Sequence, residues 1–152
     1  MSLIKKDCPE YKDTRKICVA SEKGKTYRLE NDSGLIIRKL SVEKCVARGI
    51  GEERCDYLVD VYKPEAEREI LIKAIFIELK GGALVKAVNQ LYSSIRFLEK
   101  EFKGGQIDAR IVGSRDVPGI MNFPEYRKLA KLVNSHKGIL ARSTNNIYIE
   151  TI

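Results

Sequence analysis

The chain has 152 residues, and 28 basic against 21 acidic side chains give it a net charge of +7, with one histidine and no tryptophan. At this length a single domain buries a sizeable core without staples, and a hydrophobic content of 43% excludes disorder as the default state. The longest apolar stretch, Ile70 to Leu79, is broken by Lys73 and Glu78 and falls far short of the roughly 20 residues of a membrane helix.

Residues 1–11 carry Lys5, Lys6, Asp7 and Glu10 with no apolar segment behind them, so no signal peptide is read there. The expectation is one cytoplasmic domain with no membrane partner. Cysteines stand at 8, 18, 45 and 55 without a close CxxC pair or a neighbouring histidine, which reads as buried free thiols in a reducing compartment rather than as a zinc site. The lone His136, beside Lys137 and Gly138, suits a helix C-terminus and leaves Ser-His-Asp or Cys-His chemistry without a well-placed base.

In chain order, the first 16 residues are polar and interrupted by Pro9, a short helix or an arm. Residues 17–21 and 26–29 form a predicted hairpin around Glu22-Lys23-Gly24-Lys25, and residues 31–34 make the next turn. A long strand is predicted over 35–47, a reversal at 49–53, and a strand ending at Tyr62. The charged stretch Lys63 to Glu69 is a solvated turn, with no chemistry assigned to Glu65, Glu67 or Glu69. Residues 70–80 then form a strand in the middle of a sheet. After Gly81-Gly82 the period becomes helical: Leu84, Ala87, Val88, Leu91, Ile95, Leu98 and Phe102 recur at steps of three and four until Gly104-Gly105. A strand over 107–113, a helix from Pro124 to before Gly138, and a last hairpin of 139–142 with 147–149 complete the chain.

Pairing the two central strands exposes a constellation. In an antiparallel hairpin the numbers of opposed partners have a constant sum, and a turn centred near Glu67 sets Tyr62 opposite Ile72 and Asp56 opposite Glu78. Lys80 lies two residues further and shares their face. A register pairing Asp60 with Glu78 would push much of residues 70–75 into a loop and is disfavoured. If the preceding reversal is centred near Ile50, Cys45 opposes Asp56 and Glu43 joins the same face as an extra candidate ligand. Two hard carboxylates suit Mg²⁺ or Mn²⁺, and a lysine beside them suits the positioning of a water or of developing charge. The plain counter-reading is a structural cluster of salt bridges.

Asp56, 21 intervening residues and then Glu78-Leu79-Lys80 at the end of an apolar strand resemble the D…ExK signature of the PD-(D/E)xK nuclease superfamily. The match covers residues 35–113 by pattern. The resemblance implies an α/β, restriction-endonuclease-like core: a mixed central sheet flanked by helices, in the order helix, three antiparallel strands, helix and strand, here with added hairpins. It further implies that Asp56 and Glu78 bind the metal with the Leu79 carbonyl, that Lys80 serves the attacking water, and that Gln90 on the following helix belongs to the active site. No proline precedes Asp56, where the superfamily often has one, and neither Glu10 nor Glu22 reads as helix-borne.

The expected function is Mg²⁺- or Mn²⁺-dependent hydrolysis of phosphodiester bonds in DNA, with RNA left open. Residues 1–50 carry 12 basic and 7 acidic side chains, and residues 104–152 carry 7 and 4, whereas residues 51–103 carry 9 and 10. Basic flanks around an acidic centre fit phosphate held at the edges, through Arg38 and Lys39 on one side and Arg110, Arg115, Arg127, Lys128 and Lys131 on the other. Lys86, four residues before Gln90, would reach the same way or form an ordinary solvated pair with it, while Lys128 and Lys131 fit a solvated helix face opposite Leu129 and Val133 slightly better than a phosphate grip. Cutting both strands of a duplex would favour a homodimer. The alternatives are a non-catalytic module binding nucleic acid or protein on a degenerate nuclease fold, and a zinc-stabilised or redox-active protein using its cysteines.

Overall fold

Among the residues described by the computed structural model (2–46, 53–79 and 83–152), the chain builds two sheets and three α-helices. The larger sheet takes β1 (Tyr11–Asp13), β4 (Ile36–Ser41), β5 (Tyr57–Glu65), β6 (Arg68–Leu79), β7 (Gln106–Val112) and β8 (Leu140–Ser143), hydrogen-bonded in that spatial order. The β1–β4, β4–β5 and β5–β6 pairs are antiparallel, while β6–β7 and β7–β8 are parallel. The smaller sheet takes β2 (Ile17–Glu22), β3 (Lys25–Glu30) and β9 (Ile147–Thr151).

The strand pattern dictates the layers. Leu58, Ala74, Phe76, Ala109 and Ile111 point to one face of the large sheet and pack against α2 (Leu84–Leu98) and α3 (Pro124–Ser135) through Ala87, Leu91, Ile95, Leu129 and Val133. The alternate positions Ile37, Val59, Val61, Ile75, Ile77 and Val112 point the other way, onto Cys18, Ala20, Tyr27 and Leu29 of the small sheet. Strand β6 is buried on both faces from Ala74 to Leu79, which is why its sequence is an apolar run rather than an alternation. The small sheet leaves Ile17, Val19, Ile147 and Ile149 exposed on its outer side.

Several elements differ from their sequence reading, for local reasons. The β2–β3 hairpin forms as expected, on a two-residue turn in which Lys23 (φ 49°) and Gly24 (φ 79°) both take the left-handed conformation such turns demand. Residues 35–47 are not one strand: Ser41 caps a short helix α1 (Val42–Cys45), its side chain accepting from the Lys44 N–H. The N-terminal segment is neither helix nor free arm, since Ile4 is in the core and β1 pairs along β4. Strands β8 and β9 do not pair as a hairpin; β8 extends the large sheet beside β7, and β9 crosses to the small sheet beside β3. The four cysteines are not all thiols: Cys8 and Cys45 form a disulfide, while Cys18 and Cys55 are buried and free. His136 ends α3 and lies 2.9 Å from Glu99 at the end of α2, a side-chain contact across the helix layer.

Between the sheets a buried charged network takes the place of apolar packing. Arg110 donates to Glu150 (2.9 and 3.0 Å), to Asp108 (3.3 Å) and to the Ile139 carbonyl (2.6 Å), and Glu150 also accepts from the Tyr27 hydroxyl (2.8 Å). Gly138 is required beside it, because a Cβ there would stand 1.6 Å from the Ile107 carbonyl oxygen. Arg110→Met removes the guanidinium from both carboxylates, leaving Asp108 with Lys73 and Glu150 with Tyr27, and should lower stability by about 3 kcal/mol. Lys12→Ala removes a half-exposed pair with Glu69 and should stay within about 1 kcal/mol. Urea unfolding at neutral pH checks both.

Candidate functional site

The β5–β6 ladder runs from Tyr57↔Ile77 through Val61↔Lys73 with a constant sum, and one step beyond its end brings Asp56 across from Glu78. A bulge after Val61 shifts the far half, so Tyr62 opposes Leu71 and not Ile72, while Asp60 opposes Ala74. The shift leaves the Asp56 end of the register unchanged.

Asp56 and Glu78 bond to each other's strand reciprocally. The Asp56 N–H donates to Glu78 Oε1 (3.1 Å), and the Leu79 N–H donates to Asp56 Oδ2 (2.8 Å). The Asp56 carbonyl in turn accepts from the Val42 N–H at the start of α1 (3.1 Å). Side chains thus continue the sheet where the backbone ladder stops, and they hold two carboxyl groups side by side. Glu78 is fully buried, and Asp56 is half-buried at the rim.

Helix α2 secures the strand that delivers Asp56. Ser94 Oγ accepts from the Cys55 N–H (2.9 Å), and Gln90 Nε2 donates to the Arg54 carbonyl (3.1 Å). Positions 90 and 94 lie one helical turn apart, so the same stripe of α2 grips both polar groups of the single Arg54–Cys55 peptide unit. Gln90 is therefore buried and turned toward backbone, whereas Lys86 one turn earlier is exposed. The sequence reading missed Ser94, because a serine inside an apolar helical period carries no signal until the strand beside it is placed. Burial first, and then the nearby Glu78 and Asp56 carboxylates, push the Cys55 thiol far above its ordinary range. It is thus a packed thiol rather than a thiolate ligand.

Glu43 reaches the neighbourhood by another route than the expected one. Strand β4 pairs Ser41 with Tyr57 and then turns into α1, so Cys45 does not oppose Asp56. From α1, Glu43 lines a pocket of about 210 Å³ with Asp56, Tyr57, Glu10 and Glu22, closed on one side by Cys8 and Cys45. Among the described residues, no three His, Cys, Asp or Glu side chains stand close enough to hold a metal ion together. Asp56 and Glu78 do place two carboxyl groups side by side, both hard-oxygen donors. A carboxylate has about four lone-pair sites, so a hydrogen bond on one oxygen is compatible with cation binding. Lys80 lies outside the described residues.

The basic side chains divide into two groups. Arg38 is spent on an ion pair with the buried Asp60, which also accepts from the Tyr62 hydroxyl (2.8 Å). Lys39 is buried, pairs with Glu10 (3.2 Å) and lies over the Tyr57 ring, while Arg110 belongs to the network between the sheets. These three, expected at a phosphate-gripping edge, are internal. Lys86, Arg115, Arg127, Lys128 and Lys131 are exposed, with the Lys128 ammonium 4.3 Å from the centre of the Tyr92 ring.

Ser94→Ala leaves the buried Cys55 N–H without its acceptor and should cost about 1–3 kcal/mol in chemical unfolding. Native protein treated with iodoacetamide at pH 8 should leave Cys18 and Cys55 unlabelled, by peptide mass, because burial keeps both thiols protonated. No protein-family model, curated protein or solved structure matches the chain.

Proposed function

We propose that the chain is a metal-dependent nuclease that hydrolyses phosphodiester bonds in DNA at the Asp56–Glu78 edge. The observation that carries this reading is the reciprocal lock at the end of β5 and β6, which sets a half-buried and a fully buried carboxyl group together at a rim. Further support comes from the run of antiparallel β4, β5 and β6, then α2, then parallel β7, which agrees with the later part of a restriction-endonuclease-like core. The leading helix of that core has no counterpart in the described segment before β4, where β1, β2 and β3 stand instead.

On this reading Asp56, Glu78 and the Leu79 carbonyl hold Mg²⁺ or Mn²⁺, which when bound supplies charge for the phosphoryl oxygen and acidity for a water. The protein fixes the donors beforehand: β6 buries Glu78, Leu79 N–H orients Asp56, and Ser94 with Gln90 holds the approach to Asp56. Lys80, two residues past Glu78, is assigned to the attacking water. Exposed Arg115, Lys86, Lys128 and Lys131 are assigned to the DNA backbone.

Circular DNA incubated with the protein and Mg²⁺ or Mn²⁺ should be nicked or linearised, and EDTA should stop it. Asp56→Asn, Glu78→Gln and Lys80→Ala should each lower the rate by more than about 100-fold with an unchanged circular dichroism spectrum. Absence of cleavage with every divalent ion, or full activity in Glu78→Gln, overturns the reading in favour of a non-catalytic binding module.

A further inference from the structure

The parallel strands β6, β7 and β8 end on the same side of the large sheet, and their register extends the candidate site sideways. Glu78 pairs with Ile111, and Ile111 pairs with Arg142. Register partners in neighbouring strands project to one face, so Asp56, Glu78, Ile111 and Arg142 form a single row across the sheet. Two strand spacings, roughly 10 Å, separate Glu78 from Arg142. Buried Ile111 fills the position between them.

Arg142 borders a shallow, open polar surface lined also by Asp116, Thr144, Asn145 and Tyr148. A second, smaller depression continues from Arg142 past Gly113 and the exposed Arg115 to Leu84, the first residue of α2. That polar surface is shaped by Ser143, whose hydroxyl lies within donating distance of Asn145 Oδ1 (2.6 Å) and of the Ile147 carbonyl (2.5 Å). Ser143 therefore orders the loop. Thr144 and Asn145 are left at the surface.

The Arg142 guanidinium is held at 2.6 Å by Asp116, whose side chain is 61% exposed. Such a surface pair is weak, and its guanidinium keeps a planar fork of donors matched to phosphate oxygens. Asp116 occupies the place an anion would take. We infer that Arg142, with Arg115 and Thr144, forms a phosphate subsite for the DNA strand flanking the phosphodiester at Asp56 and Glu78, and that Asp116 is the anion the strand displaces. The inference rests on the nuclease reading for the identity of the strand, and it adds the direction in which that strand leaves the site: across the C-terminal ends of β6, β7 and β8.

Binding is read apart from cleavage by fluorescence anisotropy of a labelled duplex in EDTA, over a series of salt concentrations. Arg142→Gln should weaken binding about 10-fold and lower the salt slope by about one unit, as expected for one lost phosphate contact. Asp116→Asn should tighten binding about threefold, which a purely structural role for the pair does not produce. Unchanged Kd and slope in both variants overturn the subsite, and if the unaltered protein still cleaves with Mg²⁺ the nuclease reading stands without it. The expected shifts in a protein that fails to cleave with every divalent ion sustain the subsite and overturn the nuclease reading. A protein that binds no DNA at any salt concentration overturns the subsite.

Discussion

The register of β5 on β6 is the constraint on which the candidate site depends. Because side chains alternate faces along a strand, a slip of one residue would carry Glu78 to the opposite face and put Ile77 and Ile75 against the helices. What prevents it is burial on both sides of β6: two apolar layers, one of helices and one of strands, must each receive their own alternate residues. Specificity of pairing and placement of the carboxylates are thus one and the same requirement. The bulge after Val61 falls at the distal half of the hairpin, where β5 and β6 become exposed and the demand for register is weaker.

Charge is used in this fold first for construction. Arg38, Lys39 and Arg110 neutralise Asp60, Glu10, and Asp108 with Glu150, so that strands can pass polar residues through the interior. A count of charges along the chain makes the flanks look uniformly basic, whereas in the folded protein Lys39 and Arg110 are withdrawn into the interior and Lys86, Arg115, Lys128 and Lys131 stay exposed.

Much of this was legible from residue order. The helical period of α2 and the two-residue turn of β2–β3 follow from local pattern, whereas Asp56 comes across from Glu78 because the bulge after Val61 offsets a turn centred half a residue before Glu67. What escaped was decided by distant partners. Asn145-Asn146 has the chemistry of a hairpin turn, yet β8 and β9 part company because β7 and β3 each offer a free edge. The helix at Val42 depends on the Ser41 cap, which reads equally well as a strand residue. The Cys8–Cys45 bond joins segments that nothing in cysteine spacing brings together, and the roles of Gln90 and Ser94 become visible once the Arg54–Cys55 peptide unit lies beside α2.

The parallel contact of β9 with β3 has a consequence for the order of assembly. Tyr27 and Glu150 are 123 residues apart, and the backbone closes the same junction through Glu30 and Ser33 with Ile152. The large sheet can gather strands while the chain is still emerging, but the layer covering Val59, Ile75 and Ile77 lacks its third strand until residues 147–151 exist. Closure of such a long loop is the slow kind of contact. The opposite apolar layer, with Ala87 and Leu91 packed on Phe76, draws on residues earlier in the chain and does not need that closure.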